Sequence, residues 1–368
     1  MNNPINNDLW IPWMRRALQL ASIGEGTTSP NPLVGAVVLD SSGALAGEGF
    51  HLKAGDPHAE INALSQAKEK SEGGILLVNL EPCCHQGRTP PCTEAIIKAG
   101  ISKVIVALKD PDPRVCGSGI LRLKQAGIEV VDGVLEQQAS YQNRHFLFRI
   151  KTGRPWGILK WAMSLDGRIS LPNGASKWIS KAPARSWVHS LRSKCDAVIV
   201  GGETVRKDNP LLTSRGLANP EPLRVVFSKK CRFSKDLNIW KTEVAKTCLA
   251  FGPESRTSAE SIEFSEGPEL LHLDKSDAYS LFKALAQKGC NRVLLECGSS
   301  LASLALQQEC VQELAVIVAP KLLGGLPANT PLANFGFTSI QEAIELDQLA
   351  FEKLDKDLLI KIPLQESH

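Results

Sequence analysis

Short apolar runs alternate with segments of helical periodicity over the first 130 residues. The runs at 33–39, 75–80, 104–108 and 128–131 have the length and the Val, Ile and Leu content of largely buried strands. Strands that alternate with helices predict an α/β sheet covered by helices on both faces.

Three helices are predicted around these strands. The first follows Asp8, a candidate N-cap, and its apolar positions recur at helical spacing at Trp13, Met14, Ala17, Leu18 and Ala21. The second is expected over 56–67, with Asp56 as its N-cap and Pro57 at its first position. The third is expected over 91–99 and ends before Gly100.

The alternation stops over 133–155 and then resumes, which predicts a domain boundary near residue 150. We therefore expect two domains, 1–150 and 151–368, each long enough to bury its own core. The second domain is also predicted to be α/β. Its strands are expected at 156–162, 197–200, 223–227, 292–296 and 314–318, and its helices at 183–192 and around 280–288. The segment 231–277 has weak periodicity and receives no element.

Composition and charge are those of an ordinary globular chain. The 368 residues carry 42 Lys and Arg against 39 Asp and Glu, and a net charge of +3 argues against a nucleic-acid-binding protein. The apolar runs are too short to span a membrane. Because the first residues lack the features of a signal peptide, the ten cysteines indicate thiols or metal ligands before disulfides. We expect a cytoplasmic protein.

One histidine and two cysteines have the arrangement of a zinc site. His58 lies at the start of a predicted helix, Cys83 follows a strand, and Cys92 starts the next helix. One imidazole and two thiolates leave the fourth position of a tetrahedral zinc ion open, as in catalytic sites. Zinc lowers the pKa of bound water to about 7, and Glu60 is placed to carry a proton from that water to a leaving amine. The pattern predicts a catalytic zinc site that uses Glu60.

Cys84 and His85 leave an alternative open. A fourth protein ligand from either residue would close the site and make the zinc structural, with no release of ammonia. A single His or Cys is more often a core or surface residue than a ligand, so the interpretation depends on the whole set. The remaining cysteines show no ligand spacing and are predicted to be buried thiols: Cys116, Cys195, Cys231, Cys248, Cys290, Cys297 and Cys310.

The motifs His58-Ala59-Glu60 and Pro82-Cys83 resemble the H-x-E and P-C-x-x-C signature of the zinc nucleobase and nucleotide deaminases. Eight residues stand between Cys83 and Cys92, where the signature has two. That longer stretch, together with NPLVG at 31–35, resembles one branch, the pyrimidine deaminase half of the bifunctional riboflavin-pathway enzymes. The resemblance implies a cytidine-deaminase-like α/β/α fold and a contact from Asn31 to the pyrimidine.

No G-x-G-x-x-G motif follows any predicted strand, so a standard dinucleotide fingerprint is absent. Polar segments instead follow strand ends, at 160–167, 201–205, 208–215 and 296–300. Because ligands of open α/β sheets bind beyond the carboxyl ends of strands, we expect these segments to converge on one crevice. There Arg192 and Arg215 are expected to bind a phosphate, unless both are merely solvated and Trp178 is a core residue.

These segments, and VAPKLLGG at 318–325, resemble the reductase half of the same family, whose fold is similar to dihydrofolate reductase. The resemblance covers about residues 9–330 and implies two binding sites in the second domain. At the NADPH site it implies Ala162, Trp178, Thr204, Asp208, Gly298, Ser299, Ser300, Leu301, Ala302, Ser303 and Leu304. At the substrate site it implies Ser176, Arg192, Leu212, Arg215 and Glu296. It assigns no definite role to Lys160.

Two positions depart from the family pattern. Ser228 and Lys229 stand where similar proteins carry Asp-Ser, so a cofactor role for Ser228 is left open. Cys297 stands where similar proteins commonly carry Gly or Ala. Because Cys is also small, the fold should tolerate this replacement.

The resemblance implies a two-step riboflavin biosynthesis enzyme with Zn²⁺ and NADPH as cofactors. Its substrate would be a small pyrimidine ribosylamino phosphate, which is deaminated and then reduced from a ribosyl to a ribityl compound. The alternatives are a deaminase with a non-reducing second half, a reductase with an inactive first half, and a zinc-stabilised nucleic-acid-editing protein. We expect a homo-oligomer that has neither nucleic acid nor a membrane as its partner.

Overall fold

Two separate β-sheets organise the chain, and both belong to the predicted α/β class. The structure is a computed structural model and describes residues 7–85, 90–112, 116–262, 264, 267–325 and 329–364. It divides into two units, Met1–Thr152 and Gly153–His368. Within the described ranges, no helix combines the length and apolar character needed to cross a bilayer.

The first unit contains five strands and six helices among its described residues. The strands are Gly35–Leu39 (β1), Leu45–Phe50 (β2), Ile75–Val78 (β3), Lys103–Val106 (β4) and Glu129–Asp132 (β5). The helices are Ile11–Ser22 (α1), Ala59–Ala67 (α2), Cys92–Lys98 (α3), Ser118–Gln125 (α4), Glu136–Gln142 (α5) and Arg144–Thr152 (α6). The sheet order is β2-β1-β3-β4-β5, with β1 antiparallel to β2 and β3 and the last three strands parallel. Apolar clusters cover both faces, as predicted.

Strand β2 is the main element of this unit that the sequence pattern does not predict. Its residues, LAGEGF, include two glycines that weaken a strand pattern. Those glycines are needed because α2 packs directly on the strand. A Cβ at Gly49 would lie 2.3 Å from the carbonyl oxygen of Ala59, and one at Gly47 would lie 2.2 Å from that of Ala63.

Two predicted N-caps are wrong. Asp8 lies in a 3-10 turn, Asn7–Leu9, and α1 begins at Ile11. Helix α2 begins at Ala59 rather than near Pro57, because His58 has an extended backbone with φ −69° and ψ 161°. His58 is therefore the N-cap residue of α2. The segment after 133, where no element was assigned, contains α5 and α6.

The second unit contains nine strands and five α-helices among its described residues. The strands are Trp156–Ser164 (β6), Ala197–Gly201 (β7), Leu223–Phe227 (β8), Thr247–Phe251 (β9), Glu269–His272 (β10), Arg292–Leu295 (β11), Glu313–Ala319 (β12), Ala350–Leu354 (β13) and Asp357–Pro363 (β14). The helices are Ala182–Ser193 (α7), Gly202–Asp208 (α8), Arg256–Glu260 (α9), Ala278–Gln287 (α10) and Ser299–Gln307 (α11). The sheet order is β10-β9-β8-β7-β11-β6-β12-β14-β13.

All five strands predicted for this unit are present within two residues of their expected bounds. The parallel strands β7, β11 and β6 are neighbours in the sheet, so their carboxyl ends lie at one edge. The segment 231–277 does contain β9, α9 and β10, although its pattern is weak. The sequence analysis does not predict the antiparallel hairpin β13–β14, in which most of β13 is exposed.

Candidate metal centre and reductase site

Three potential metal ligands converge at one end of the first sheet. The His58 Nδ1 atom lies 3.2 Å from the Cys92 Sγ atom and 3.6 Å from the Cys83 Sγ atom. All three ligand atoms lie within 4.8 Å of one another. Tetrahedral zinc with N and S ligands places such atoms about 3.5 Å apart, so the donor set fits the ion. Over the described residues, neither Cys84 nor His85 joins this group.

The backbone around Cys83 and Cys92 favours an ionised thiol. The N–H of Cys92 donates to the Cys83 Sγ atom at 3.3 Å, and the N–H of Thr93 donates to the Cys83 carbonyl at 3.2 Å. Hydrogen bonding from the thiol of Cys92 lowers the pKa of Cys83 and raises the pKa of Cys92. A metal ion requires thiolates, and Cys83 is already disposed to provide one.

Glu60 lies in the first turn of α2, two residues after His58, and is only 3% exposed. Burial raises the pKa of its carboxyl group, and the nearby thiol of Cys83 raises it further. Its Oε2 atom has no hydrogen-bond partner among the described residues. A buried carboxyl group with an unpaired oxygen beside a donor set for zinc is what a proton-transferring residue requires.

A cavity of about 520 Å³ opens onto this cluster, a volume typical of small-molecule sites. Asn31, predicted to contact a pyrimidine, lines it together with His58, Glu60 and Cys83. His51 also lines it and was missed by sequence analysis. The Asn31 Nδ2 atom lies 3.0 Å from His51 Nε2, and His51 Nδ1 lies 3.2 Å from the carbonyl oxygen of Pro57.

Glu81 is a second residue whose role the sequence did not indicate. Its carboxylate is buried and accepts four backbone hydrogen bonds, from Asp110, Gly117, Gly119 and Ile120, at 2.9 to 3.2 Å. These contacts fix the segment that carries Cys83 against the start of α4. A Glu two residues before a candidate ligand suggests no such contact, because its partners are backbone groups distant in sequence.

An ion-pair network lies at the carboxyl end of β11 in the second unit. Glu296 Oε1 lies 2.5 Å from Arg192 Nε, and its Oε2 atom lies 3.4 Å from Lys160 Nζ. Burial alone would raise the pKa of Glu296, but the charges of Arg192 and Lys160 lower it to about 2. The network brings Arg192 and Glu296 together as predicted, and it includes Lys160, whose role was left indefinite.

Protein groups occupy part of the Arg192 guanidinium, which is predicted to bind a phosphate. Arg192 Nε is paired with Glu296, and its Nη1 atom donates to the carbonyl of Thr213 at 2.8 Å. Two of its donors are therefore committed to the protein. Arg215 is exposed, and both it and the buried Leu212 have left-handed backbones, with φ of 63° and 60°.

The residues predicted at the NADPH site lie near strand ends of the second unit. Ala162 is in β6, Thr204 and Asp208 are in α8, Gly298 is the N-cap residue of α11, and residues 299–304 lie in α11. A Cβ at Gly298 would lie 3.8 Å from the Thr204 Oγ1 atom, so these two positions are neighbours.

Ser176 and Trp178 lie in the loop between β6 and α7. Lys177 Nζ donates to the Asp208 carbonyl at 3.0 Å, and Lys321 Nζ donates to the Trp178 carbonyl at 2.6 Å. The Trp178 side chain is 63% exposed, which excludes the core alternative, and Arg185 lies over its ring at 4.7 Å.

Ser228 and Cys297, which depart from the family pattern, have local surroundings that explain them. Ser228 is buried, and its Oγ atom accepts the backbone N–H groups of Lys230 and Cys231 at 3.3 and 3.2 Å. It stabilises a turn after β8. Burial raises the pKa of the Cys297 thiol to about 12, so it is inert at neutral pH.

Comparison with known families matches both halves of the chain. Residues 11–108 match the cytidine and deoxycytidylate deaminase zinc-binding region, and residues 155–360 match the RibD C-terminal domain. The riboflavin biosynthesis protein RibD of Synechocystis is 46% identical over 347 residues, which covers 94% of each chain. The RibD protein of Escherichia coli is 40% identical and covers 85% of this chain and 88% of its own.

Solved structures of RibD proteins also match nearly the whole chain. A RibD structure from Acinetobacter baumannii is 36% identical, with a TM-score of 0.88 over 97% of this chain and 99% of its own. A structure from Thermotoga maritima described as a diaminohydroxyphosphoribosylaminopyrimidine deaminase and 5-amino-6-(5-phosphoribosylamino)uracil reductase is 33% identical, with a TM-score of 0.85 over 97% and 99%. The predicted order of a deaminase-like domain followed by a reductase domain is confirmed.

The metal centre predicts which thiols hold zinc. We expect the purified chain to bind about one zinc ion, and Cys83→Ser or Cys92→Ser to lose most of it, because each removes a thiolate ligand. Cys84→Ser is the matched control and should keep the metal. Zinc content by mass spectrometry after dialysis against a chelator measures the difference. Zinc loss from Cys84→Ser equal to that from Cys92→Ser would instead favour the closed, structural site.

The ion-pair network predicts a pH-dependent stability. Glu296→Gln leaves Arg192 and Lys160 without their buried counter-charge, and we expect a loss of about 3–5 kcal/mol at pH 7. Because the folded pKa of Glu296, about 2, lies below its usual value of 4.5, its contribution is complete above pH 4.5 and is lost as the pH falls towards 2.

Thermal unfolding of both proteins at pH 7 and pH 3.5 measures this effect, and the difference in Tm should shrink at the lower pH. Glu269→Gln, which removes an exposed partner of Lys288, is the control and should change Tm little. A Tm difference for Glu296→Gln that is equal at both pH values contradicts the assignment.

Proposed function

Because the chain belongs to the RibD family of riboflavin biosynthesis proteins, we propose that its two domains act in succession on one pyrimidine nucleotide. The chain is a bifunctional enzyme with a zinc-binding deaminase domain and a reductase domain. The first reaction converts 2,5-diamino-6-(5-phosphoribosylamino)pyrimidin-4(3H)-one to 5-amino-6-(5-phosphoribosylamino)uracil, and the second reduces the ribosyl to a ribityl side chain. The observation that carries the proposal is the cluster of His58, Cys83 and Cys92 beside buried Glu60, at a cavity that His58, Glu60 and Cys83 line.

Deamination needs a nucleophilic water and a proton for the departing amine. His58, Cys83 and Cys92 would hold a zinc ion, and the ion would supply the Lewis acidity that makes water nucleophilic near neutral pH. Glu60 accepts a proton as water adds to the amino-bearing carbon and returns it to the nitrogen, so that ammonia leaves. Burial raises the pKa of this carboxyl group, which makes it a weaker acid and a better proton acceptor than an exposed glutamate.

Binding of the pyrimidine is assigned to Asn31. Its side chain lines the cavity on which Glu60 and two of the metal ligands also open. His51 orients the Asn31 amide, because His51 Nδ1 donates to the Pro57 carbonyl and its Nε2 atom then accepts from Asn31 Nδ2. Burial lowers the pKa of His51, which keeps the ring neutral and able to accept.

Reduction is assigned to the carboxyl edge of the second sheet. NADPH supplies a hydride at C1 of the ribosyl unit, which is exposed as an imine or an open-chain aldehyde. Thr204 and the start of α11 at Gly298 are adjacent, which supports a common binding surface for the cofactor, together with Ala162, Trp178, Asp208 and residues 299–304. Glu296 and Arg192 would orient the substrate with Ser176, Leu212 and Arg215.

Mass spectrometry of the small molecules tests both reactions with the zinc-loaded chain. Without NADPH we expect the substrate to exchange an amine for oxygen, and with NADPH we expect two further hydrogens. Glu60→Gln should slow deamination by about a hundredfold or more because proton transfer is lost, while zinc and the reduction of supplied intermediate are retained. Glu94→Gln, an exposed carboxylate of the same domain, is the control. Unchanged deamination in Glu60→Gln refutes its role, and no conversion by the wild type refutes the function.

We further propose that the chain forms a homo-oligomer through its second unit. Exposed apolar side chains recur along the segment between β12 and the end of β13: Phe337, Ile340, Ile344, Leu346, Leu349 and Phe351. Strand β13 is the last in the sheet order, and none of the described strands pairs with its outer edge. A second copy would cover this surface by symmetric edge pairing, since an uncovered patch of this kind favours aggregation. None of the ten cysteines is paired in a disulfide, which supports a reducing compartment, and we propose the cytoplasm.

Sedimentation velocity measures the oligomeric state. We expect the wild type to sediment as a dimer or larger, and the double variant Ile340→Glu with Phe351→Glu to sediment as a smaller species, because two charges would be buried at each contact. Leu121→Glu, at an equally exposed position of the first unit, should keep the wild-type value. A monomeric wild type contradicts the proposal.

A further inference from the structure

The cavity wall that carries Asn31 has few backbone hydrogen bonds of its own. Of residues 30–33, Pro30 and Pro32 have no N–H, so Asn31 and Leu33 supply the backbone donors. The N–H of Asn31 donates to the Thr28 carbonyl at 2.8 Å. The loop ends before β1 begins at Gly35, and the nearest backbone bond from the sheet side is that of the His51 N–H to the Val34 carbonyl, one residue after the loop. Its position therefore depends on side chains from elsewhere in the unit.

The side chain of Asn143, between α5 and α6, bonds both backbone polar groups of Leu33. Its Oδ1 atom accepts the Leu33 N–H at 2.8 Å, and its Nδ2 atom donates to the Leu33 carbonyl at 3.0 Å. The residue is 2% exposed. The buried amide supplies the two backbone hydrogen bonds that a neighbouring strand would otherwise make to this loop.

Neighbouring contacts support this attachment. Buried Asn79 also donates to the Leu33 carbonyl at 2.9 Å and to Gln142 Oε1 at 3.1 Å. At the other end of the loop, Arg149 Nη2 on α6 donates to the Pro30 carbonyl at 2.8 Å. The segment 136–152 thus holds the loop on both sides of Asn31.

We infer that Asn143 is a positioning residue for deamination, and that it sets the place of Asn31 relative to His58 and Glu60. The inference rests on the proposed function, in which Asn31 binds the pyrimidine. The hydrogen bonds from Asn31 to His51 and from His51 to Pro57 continue the connection as far as the residue before His58. Helices α5 and α6 lie beyond the matched zinc-binding region at 11–108, so the working deaminase extends to Thr152.

The test compares Asn143→Ala with Ser71→Ala in the zinc-loaded, full-length chain. Ser71 is the matched control because it is also buried, and its hydroxyl bonds two backbone carbonyls, of Lys68 and Ala99, away from the cavity. For Asn143→Ala we expect the KM of deamination to rise about tenfold or more with kcat within about twofold, since a misplaced binding group weakens substrate binding. Zinc content and the reductase rate should be unchanged.

Several outcomes would overturn the inference. A wild-type KM for Asn143→Ala does so directly, and an equal rise in KM for Ser71→Ala shows that lost stability alone explains the effect. If Asn143→Ala does not fold, Asn143→Asp keeps the acceptor for Leu33 N–H and removes the donor to its carbonyl. Its KM should still rise, and a wild-type value refutes the inference. Absence of ammonia release by the wild type refutes instead the proposed function.

Discussion

The direct packing of α2 on β2 is the constraint on which the metal centre depends. At Gly47 and Gly49 the helix backbone lies where a Cβ would otherwise be, within 2.2 and 2.3 Å of helix carbonyl oxygens. This approach fixes the start of α2, and with it both His58 and Glu60. The thiols reach the same point from the other side, because β3 and β4 are parallel and the chain after β3 turns into α3. A displaced α2 would separate the imidazole from the two thiols.

Long-range backbone contacts hold the other elements of the first site in register. Glu81 fixes the chain before Cys83 by accepting four N–H groups near α4, and Asn143 fixes the chain after Asn31 by bonding Leu33. In both cases a buried side chain satisfies backbone groups that no strand pairs, which is how irregular segments remain ordered inside a fold. The candidate metal ligands and Glu60 are few, and the residues that hold their segments in place come from several elements of the unit.

Sequence analysis identified the candidate metal ligands and Glu60 more easily than the residues and elements that position them. The spacing of His58, Glu60, Cys83 and Cys92 predicted a cluster that the structure assembles, because metal chemistry restricts residue type strongly. Strand β2 was not predicted because the glycines that allow α2 to pack closely also weaken the strand pattern of its sequence. His51 and Asn143 were missed because no sequence motif marks an amide or an imidazole that bonds a backbone group. The hairpin β13–β14 was not predicted because the exposed strand β13 has no buried face to produce an alternating pattern.

The two sites place a buried glutamate in opposite electrostatic surroundings. Burial raises the pKa of Glu60, the nearby thiol of Cys83 raises it further, and the Oε2 atom has no hydrogen-bond partner among the described residues. Glu296 has Arg192 and Lys160, and its pKa falls to about 2 in spite of burial. The first carboxyl group is suited to exchanging protons during the reaction, whereas the second stays charged throughout. Hydrolysis requires a proton to move within the site, and hydride transfer requires fixed charge and orientation, so these opposite surroundings fit the roles proposed for the two glutamates.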